Sequence, residues 1–435
     1  MSSAFRLRQA SPAAPLSAAA ALLTTLAACG GGGMGTAPMS MANDVGSASA
    51  SMGCTGSYAN MGSNVNMGSN MGMGSNMDMG SNMNMGSNMN MGPTMGMGGN
   101  TTPCAAPGIM LAALAGAVNR TVTLHAQVKV PAGDAVMRVD FMVDGAGVGT
   151  TSDGGFSVSW DSTTVSDGPH TLTATVTDSL GQTASATPVT LQVDNHPAFT
   201  VALSPAQIVP APAAASSGTA HLNADLGSGA LSGSVVLSGV TATAVTLNEA
   251  FAGDQGTVLL KLSPGTNTGE WQVPGGALLT AEQITALLQG GLYVTASSAA
   301  HPAGELRGQI TPTNVLVIFS ALNGAQEVPA VAINATGIAA TTVDTVANTL
   351  TVHVHATGVA DALAAEVDDG AAGATGTRVA ALTRDDSDAG HWSTQLTAVS
   401  ATDVGAFKAG DWYVNVMTAA DPQGAIRGQI QLSGH

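Results

Sequence analysis

Charged and aromatic side chains are scarce in this chain of 435 residues, of which 9% are Asp, Glu, Lys or Arg and 3% are Phe, Trp or Tyr. Amphipathic helices need charged outer faces, whereas small and β-branched side chains with 55 glycines suit strands and turns. The composition therefore predicts an all-β protein, and the length allows two or three domains.

Motifs of the common enzyme classes are also missing. The sequence has no Gly-x-Ser-x-Gly nucleophile motif, no phosphate-binding glycine loop and no His-Glu-x-x-His zinc motif. The few charged side chains offer few candidates for a general acid and base. The sequence therefore predicts a protein without catalytic activity.

The N-terminus has the pattern of an export signal. Arg6 and Arg8 precede an uncharged apolar stretch at 13–26, and Leu-Ala-Ala-Cys29 follows directly. This ending resembles a bacterial lipobox, which implies that residues 1–28 are a signal peptide and that Cys29 carries a lipid. An ordinary cleaved signal with an incidental cysteine is the alternative. A lipid anchor would place the protein in the cell envelope, on the periplasmic or surface face of the outer membrane.

Basic residues are few, and signal removal makes them fewer. The chain has 11 Lys and Arg against 28 Asp and Glu, and two of the 11, Arg6 and Arg8, leave with the signal. Such an acidic surface repels nucleic acid and anionic lipid headgroups, so neither is an expected partner. The expected partners are the membrane, through the lipid, and an unidentified protein or extracellular ligand.

Cysteine is rare as well, with three residues in all. Apart from Cys29 there are Cys54 and Cys104, which bracket a methionine-rich tract. An even pair in an oxidising compartment predicts a disulfide, and two free thiols are the alternative.

Residues 29–117 are rich in Met, Gly, Ser and Asn and repeat Met-Gly-Ser-Asn-Met-Asn. Such a composition predicts a disordered tether. Thioether sulfur is also a soft ligand that suits Cu(I). The tract is therefore either a spacer or a copper site, and its Met-x-Met candidates are Met71, Met73, Met77, Met79, Met83, Met85, Met89 and Met91.

Residues 118–195 alternate in hydrophobicity over short segments separated by turns. Thr121 and Val139 begin two alternating segments, Asp144-Gly145 supplies a hairpin turn, and Trp160 ends a third segment. The pattern predicts a sandwich with Trp160 in its core. The segment resembles the Ig-like domains of bacterial surface proteins.

The rest of the chain is an internal repeat. The segment 203–210 recurs at 322–329, and 301–310 recurs at 421–430 with a shared Arg-Gly-Gln motif. Each copy reads mostly as strands, and the last strand is expected to run from a tyrosine to that motif. One short helix per copy is predicted from the capping-box patterns at Thr280 and Ser400.

The two copies, 197–313 and 314–435, resemble the chordin-type CHRD domain. The resemblance rests on the Gln-Glu-Val-Pro start, the Gly370–Gly373 loop, the Tyr413-Val-Asn-Val strand and the Arg-Gly-Gln end. It implies a β-rich extracellular module, which in chordin is associated with growth-factor antagonism. The fold class expected for the chain is an Ig-like β-sandwich followed by two tandem CHRD-like sandwich or barrel domains.

Many CHRD relatives carry histidines arranged like a superoxide-dismutase metal site. At those positions this chain has Thr246 and Asn248 with Ser297 in copy one, and Glu366 and Asp368 with Met417 in copy two. The histidines that would hold copper or zinc are therefore absent from both copies. The two carboxylates of copy two fit either a weakly bound hard cation or, as favoured here, a solvated acidic edge.

Two further patterns involve isolated charged or imidazole side chains. His353 and His355 place two imidazoles on one strand face, which is weak evidence for a metal without a third ligand. Each arginine of the Arg-Gly-Gln motif is expected to be partly buried and to need one carboxylate, a role in stability. The residues of this structural motif are Glu305, Arg307 and Gln309 in copy one, and Glu327, Arg427 and Gln429 in copy two.

The function expected from these patterns is that of a non-catalytic adhesion or ligand-binding lipoprotein of the cell envelope. A Cu(I)-handling lipoprotein that uses the methionine tract is the alternative. A superoxide-dismutase-like enzyme is a third, disfavoured by the missing histidines.

Overall fold

The computed structural model describes residues 105–359 and 361–432, whose regular elements are mostly β-strands. They form an Ig-like domain and two copies of a second β-domain, so the predicted all-β class and its sequence of domains are confirmed. Each domain has its own buried apolar cluster.

The Ig-like domain packs a three-stranded sheet in the order β1-β3-β6 against a second sheet in the order β2-β9-β7-β4-β5, with β8 paired to β7. Its strands are β1 (Gly108–Leu111), β2 (Ala117–Val118), β3 (Thr121–Lys129), β4 (Val136–Val143), β5 (Ala146–Thr151), β6 (Ser157–Asp161), β7 (Gly168–Asp178), β8 (Thr183–Ser185) and β9 (Val189–Val193).

Local sequence signals in this domain are confirmed. Asp144 and Gly145 join β4 to β5 with φ of 50° and 80°, the left-handed values that a tight two-residue hairpin needs. Trp160 is 5% exposed in the core. The domain begins earlier than the expected boundary at 118, because β1 pairs with β3. The sequence placed this short strand in the linker because the residues before it have the linker composition.

Copy one has two sheets, in the orders β10-β11-β12-β16-β15 and β14-β13-β17-β18. A bridge between Ser204 and Arg307 joins the first strand of one sheet to the last strand of the other. Its elements are β10 (Ala198–Leu203), β11 (Ser217–Ala224), β12 (Leu231–Ser238), β13 (Ala242–Glu249), β14 (Thr257–Lys261), β15 (Ser263–Pro264), β16 (Glu270–Gln272), α1 (Ala281–Leu288), β17 (Leu292–Ser298) and β18 (Leu306–Ile310).

Copy two closes into a barrel. Its sheet runs β20-β19-β27-β26-β22-β23-β24-β21-β25, and β20 also pairs with β21. Its elements are β19 (Val315–Asn323), β20 (Thr336–Asp344), β21 (Thr349–Thr357), β22 (Ala362–Asp369), β23 (Thr377–Arg384), β24 (His391–Ser393), β25 (Thr397–Ala398), α2 (Ala401–Ala409), β26 (Trp412–Thr418) and β27 (Ile426–Gln429).

The two helices begin where the sequence predicted them. Thr280 and Ser400 are the N-caps, and each accepts from the backbone N–H three residues later. Gln283 and Asp403 return the bond to the N-cap N–H, which completes both capping boxes.

The last strand of each copy differs from the expectation. The chain does not run straight from the tyrosine to the Arg-Gly-Gln motif, but folds back as a hairpin, so that Tyr293 faces Gln309 across β17 and β18. Gly304 and Gly424 lie in the two turns with φ of 137° and 144°. Glycine adopts such φ values without strain, and they end the strand and turn the chain back. The sequence prediction of one continuous strand is wrong because it includes these glycines in the strand.

Candidate functional site

The arginine of the Arg-Gly-Gln motif in copy one is a buried structural clamp. Arg307 lies on β18 and is 5% exposed. Its guanidinium donates to the carbonyl oxygens of Phe251 and Asp254 and, at 2.8 Å, to Gln309 Oε1. It also stacks 3.6 Å from the ring centroid of Tyr293. Burial lowers the pKa of Arg307 to about 10, which still leaves it charged at neutral pH.

Copy two repeats the same arrangement. Arg427 is 2% exposed and donates to the carbonyl oxygens of Ala374 at 2.6 Å and Ala371 at 3.0 Å. It also donates to Gln429 Oε1 at 2.7 Å and stacks 3.5 Å over Tyr413. The motif therefore holds a loop against the sheet in each copy.

The motif glutamine completes the clamp. Gln309 Nε2 donates to the carbonyl oxygens of Ala250 and Gly290, at 2.8 and 2.7 Å. Gln429 Nε2 makes the equivalent bonds to Gly370 and Gly410, both at 3.0 Å. These contacts tie the loop after β13 or β22 to the end of the helix.

The expected carboxylate partners of the two arginines are wrong. The loop carbonyl oxygens that face each guanidinium are not paired in a β-sheet. They accept the hydrogen bonds of the arginine in place of a carboxylate. Glu305 is buried, and the neighbouring Ser298 hydroxyl, the largest influence on it, lowers its pKa. Burial raises the pKa of Glu327 to about 7, an effect that nearby Arg427 only partly opposes.

The positions where relatives carry metal-binding histidines have other uses here. In copy one Asn248 Nδ2 donates to Thr246 Oγ1 at 3.0 Å, so the two side chains satisfy each other. In copy two Asp368 is 3% exposed, and Glu366 lies 3.7 Å from Arg378. Because β22 lies between β23 and β26, the predicted solvated acidic edge is wrong.

A third histidine joins the pair on β21. His391 on β24 faces His355 in the strand register, and their ring centroids are 4.5 Å apart with planes at 16°. Its Nε2 lies 3.3 Å from Nδ1 of His353. Sequence reasoning missed His391 because only the pairing of β21 with β24 brings it to the pair.

These stacked rings suit a packing contact better than a metal site. A ring nitrogen binds a metal through a lone pair that lies in the plane of the ring. Rings that are stacked in separate, nearly parallel planes do not direct these lone pairs at one point. Among residues 105–359 and 361–432, no group of three or more His, Cys, Asp or Glu side chains is arranged to hold a metal ion. Burial lowers the pKa of His353 to about 4, and it lowers that of His355 as well.

One of these histidines also contacts the first CHRD-like copy. His355 Nε2 donates to the Gly253 carbonyl oxygen at 2.7 Å. Beside them lies a cleft of about 940 Å³ that both copies line. Its carboxylates are those of Glu249, Asp254 and Glu282 from copy one and Asp385 from copy two. Among the described residues, no lysine or arginine lines the cleft, so its charge is negative.

Several predicted sites lie outside the described residues. They are the lipidation site Cys29, the pair Cys54 and Cys104, and the methionines from Met71 to Met91. None of the helices in the described part of the chain has the length and apolar character needed to cross a membrane.

Comparison with known proteins matches the domain content. The CHRD domain profile matches residues 199–310 and 318–430, together just over half of the chain, and the bacterial Ig domain profile matches 113–174. No curated protein matches the chain. Among solved structures, fibronectin(III)-like modules of Clostridium thermocellum CbhA are 20% identical over 20% of this chain and 95% of theirs, with a TM-score of 0.17.

Proposed function

Because this chain belongs to the CHRD-domain family and carries a bacterial Ig-like domain before its two CHRD domains, we propose that it is a lipid-anchored binding protein of the cell envelope. Ig-like and CHRD β-domains are typical of binding or adhesion modules without catalytic activity. The lipobox-like segment at Cys29 supports the anchor, and the tether behind it would hold the domains away from the membrane.

The cleft between the two CHRD domains is the observation that carries the proposal. Its volume of about 940 Å³ lies within the size range of ligand sites. Both copies contribute to its walls, so the site exists only because the domain is duplicated. Beside the cleft, the hydrogen bond from His355 to the Gly253 carbonyl oxygen is one direct contact between the two copies.

The lining indicates the charge of the ligand. Among the described residues, four carboxylates and two histidines but no lysine or arginine line the cleft, and the chain as a whole carries 28 Asp and Glu against 11 Lys and Arg. Like charges at an interface are repelled, and opposite charges speed and orient binding. The ligand class is therefore cationic, such as a lysine- or arginine-rich segment of a partner protein.

A Glu249→Gln, Glu282→Gln double variant is expected to bind a labelled oligolysine peptide about tenfold more weakly, because two attractive charges are lost. Fluorescence anisotropy measures this binding, which should also weaken as salt is added. An Asp153→Asn, Glu270→Gln variant, whose changes lie outside the cleft, is the matched control. Equal weakening in the two variants, or wild-type binding no stronger than to oligoglutamate, contradicts the cleft as the site.

Copper handling by the methionine tract is the second candidate function. Repeated Met-x-Met units present many thioether ligands, and the tract contains no histidine. Thioether-only ligand sets select Cu(I) over Cu(II) and zinc. This candidate does not depend on the cleft, since the tract precedes the β-domains in the chain.

Mature protein is expected to take up several equivalents of Cu(I) from a competing chelator, and protein lacking residues 59–100 is expected to take up none. A full-length variant with leucine at the eight Met-x-Met positions keeps the tether and removes the sulfur, so it should behave like the deletion. If all three proteins withdraw the same amount of copper, the tract is a spacer.

A further inference from the structure

Copy two contains a buried group of oxygen atoms that lack donors. Glu327 follows the short 3-10 helix Gly324–Gln326 and is 8% exposed, and Asn415 on β26 is 4% exposed. Glu327 Oε1 and Asn415 Oδ1 are buried without a hydrogen-bond partner. Burying such atoms without a donor is unfavourable, because each loses the hydrogen bonds that it makes to water in the unfolded chain.

These oxygens lie close to one another beside Gly424. A Cβ atom at Gly424 would lie within 2.6 Å of both carboxylate oxygens of Glu327 and of Asn415 Oδ1. Asn415 Nδ2 donates to the Gln423 carbonyl oxygen at 3.0 Å, which fixes the amide with its oxygen toward Glu327. Acceptors therefore face acceptors, and a cation or a proton between them would relieve their repulsion.

The charge around this place is negative. Asp368 and Asp421 are close enough to raise the pKa of Glu327, in addition to the larger effect of burial. Arg427 is the nearby cation, but its guanidinium already donates to Ala371, Ala374 and Gln429. None of these bonds reaches Glu327 Oε1 or Asn415 Oδ1, which stay without a donor.

Copy one shows that the fold does not need these oxygens. Ile208 and Thr295 stand where copy two has Glu327 and Asn415. A Cβ at Gly304, the equivalent of Gly424, would meet the Ile208 Cδ1 methyl at 3.0 Å and the Thr295 Cγ2 methyl at 3.2 Å. Methyl groups therefore pack against this glycine in copy one. In copy two, side-chain oxygens that include the unpartnered Glu327 Oε1 and Asn415 Oδ1 lie against it.

We propose that the second CHRD domain binds a hard cation, Ca²⁺, between the Glu327 carboxylate and the Asn415 amide oxygen above Gly424. Ca²⁺ takes carboxylate and amide oxygens with water completing its shell. The set has no nitrogen or sulfur donor, so it does not suit copper or zinc. With so few protein ligands the dissociation constant is roughly 10⁻⁴–10⁻³ M, as in extracellular calcium modules. The site is separate from the cleft and does not depend on the proposed function.

Thermal unfolding of the mature protein with and without Ca²⁺ tests the site. About 10 mM Ca²⁺ should raise the unfolding midpoint of the second CHRD domain by a few degrees. Hydrogen exchange of peptides from β22 and β26 assigns this unfolding to the second CHRD domain. A Glu327→Ile, Asn415→Thr variant, which carries the residues of copy one, should fold and lose this response. The Glu249→Gln, Glu282→Gln variant should keep it, which separates the site from the acidic cleft.

Terbium luminescence gives a second readout, since Tyr413 and Trp412 lie on the same strand as Asn415 and can sensitise a bound lanthanide. The signal should appear in the wild type, fall when Ca²⁺ is added and be absent from the Glu327→Gln variant, which keeps the side-chain size. The proposal is overturned if wild type and variants respond alike to Ca²⁺. It is also overturned if Ca²⁺ has no effect, in which case a proton shared by Glu327 and Asn415 occupies the place.

Discussion

Replacing Arg427 with alanine is expected to lower the free energy of unfolding of the second CHRD domain by about 3–5 kcal/mol. The side chain is 2% exposed, and its guanidinium donates to two loop carbonyl oxygens and to Gln429. Its removal leaves buried acceptors without donors, takes a cation from the ring of Tyr413, and leaves a cavity.

Lysine at the same position should recover little of this stability. Lysine keeps the charge, but it is a point donor and cannot span the carbonyl oxygens of Ala371 and Ala374 as a planar guanidinium does. Arg427→Lys is therefore expected to be closer to Arg427→Ala than to the wild type. The comparison separates the donor geometry from the charge.

Urea unfolding followed by hydrogen exchange assigns the loss to one domain, because each domain opens with its own protection. Peptides from β26 and β27 should lose protection in Arg427→Ala, while those of the Ig-like domain keep it. Arg138→Ala is the control, since that side chain is 60% exposed and forms a surface ion pair with Asp140. A loss as small as the control's means that the clamp adds nothing to stability.

The histidine cluster is expected to make the protein less stable in mild acid. The pKa of His353 is lowered to about 4, chiefly by burial, with His391, His355 and Arg307 lowering it further and Asp254 opposing them. The unfolded chain takes up a proton near pH 6.5, whereas folded His353 does so only near pH 4. Stability is therefore complete above pH 6.5 and falls as the pH drops toward 4.

His353→Asn should remove that share of the pH dependence, on the order of 2–3 kcal/mol between pH 6.5 and 4. Urea unfolding at several pH values in this interval measures the difference between variant and wild type. His170 and His196, whose pKa values are raised by Asp144 and Asp167, remain in both proteins and cancel in the comparison. His221→Asn changes an exposed imidazole and serves as the control. Parallel pH profiles for all three proteins would show that His353 does not cause the effect.

Features that depend on neighbours in the chain were predictable from the sequence. The Asp144-Gly145 hairpin and the capping boxes at Thr280 and Ser400 are such features, because backbone dihedrals and first-turn hydrogen bonds involve only a few successive residues. The duplication was visible because both copies keep the same side chains at the same spacing. Trp160 in the core followed from alternation along one strand.

The sites were only partly predictable, because their partners are distant or are not side chains. Arg307 and Arg427 bind backbone carbonyl oxygens, which every residue carries and which no sequence pattern distinguishes. Carboxylates were expected there because a carboxylate can be recognised in a sequence and a free carbonyl cannot.

Composition and local pattern by themselves determined an all-β chain with a duplicated domain and short capped helices at defined positions, and the resemblance of its motifs identified the Ig-like and CHRD domains. The tertiary structure alone decided which side chains from distant segments contact each other. Strand pairing brought His391 to His353, and the hairpin at Gly424 set Asn415 against Glu327. The physical reason is that strand order and hairpin register depend on contacts between segments far apart in the chain, which local propensity does not encode.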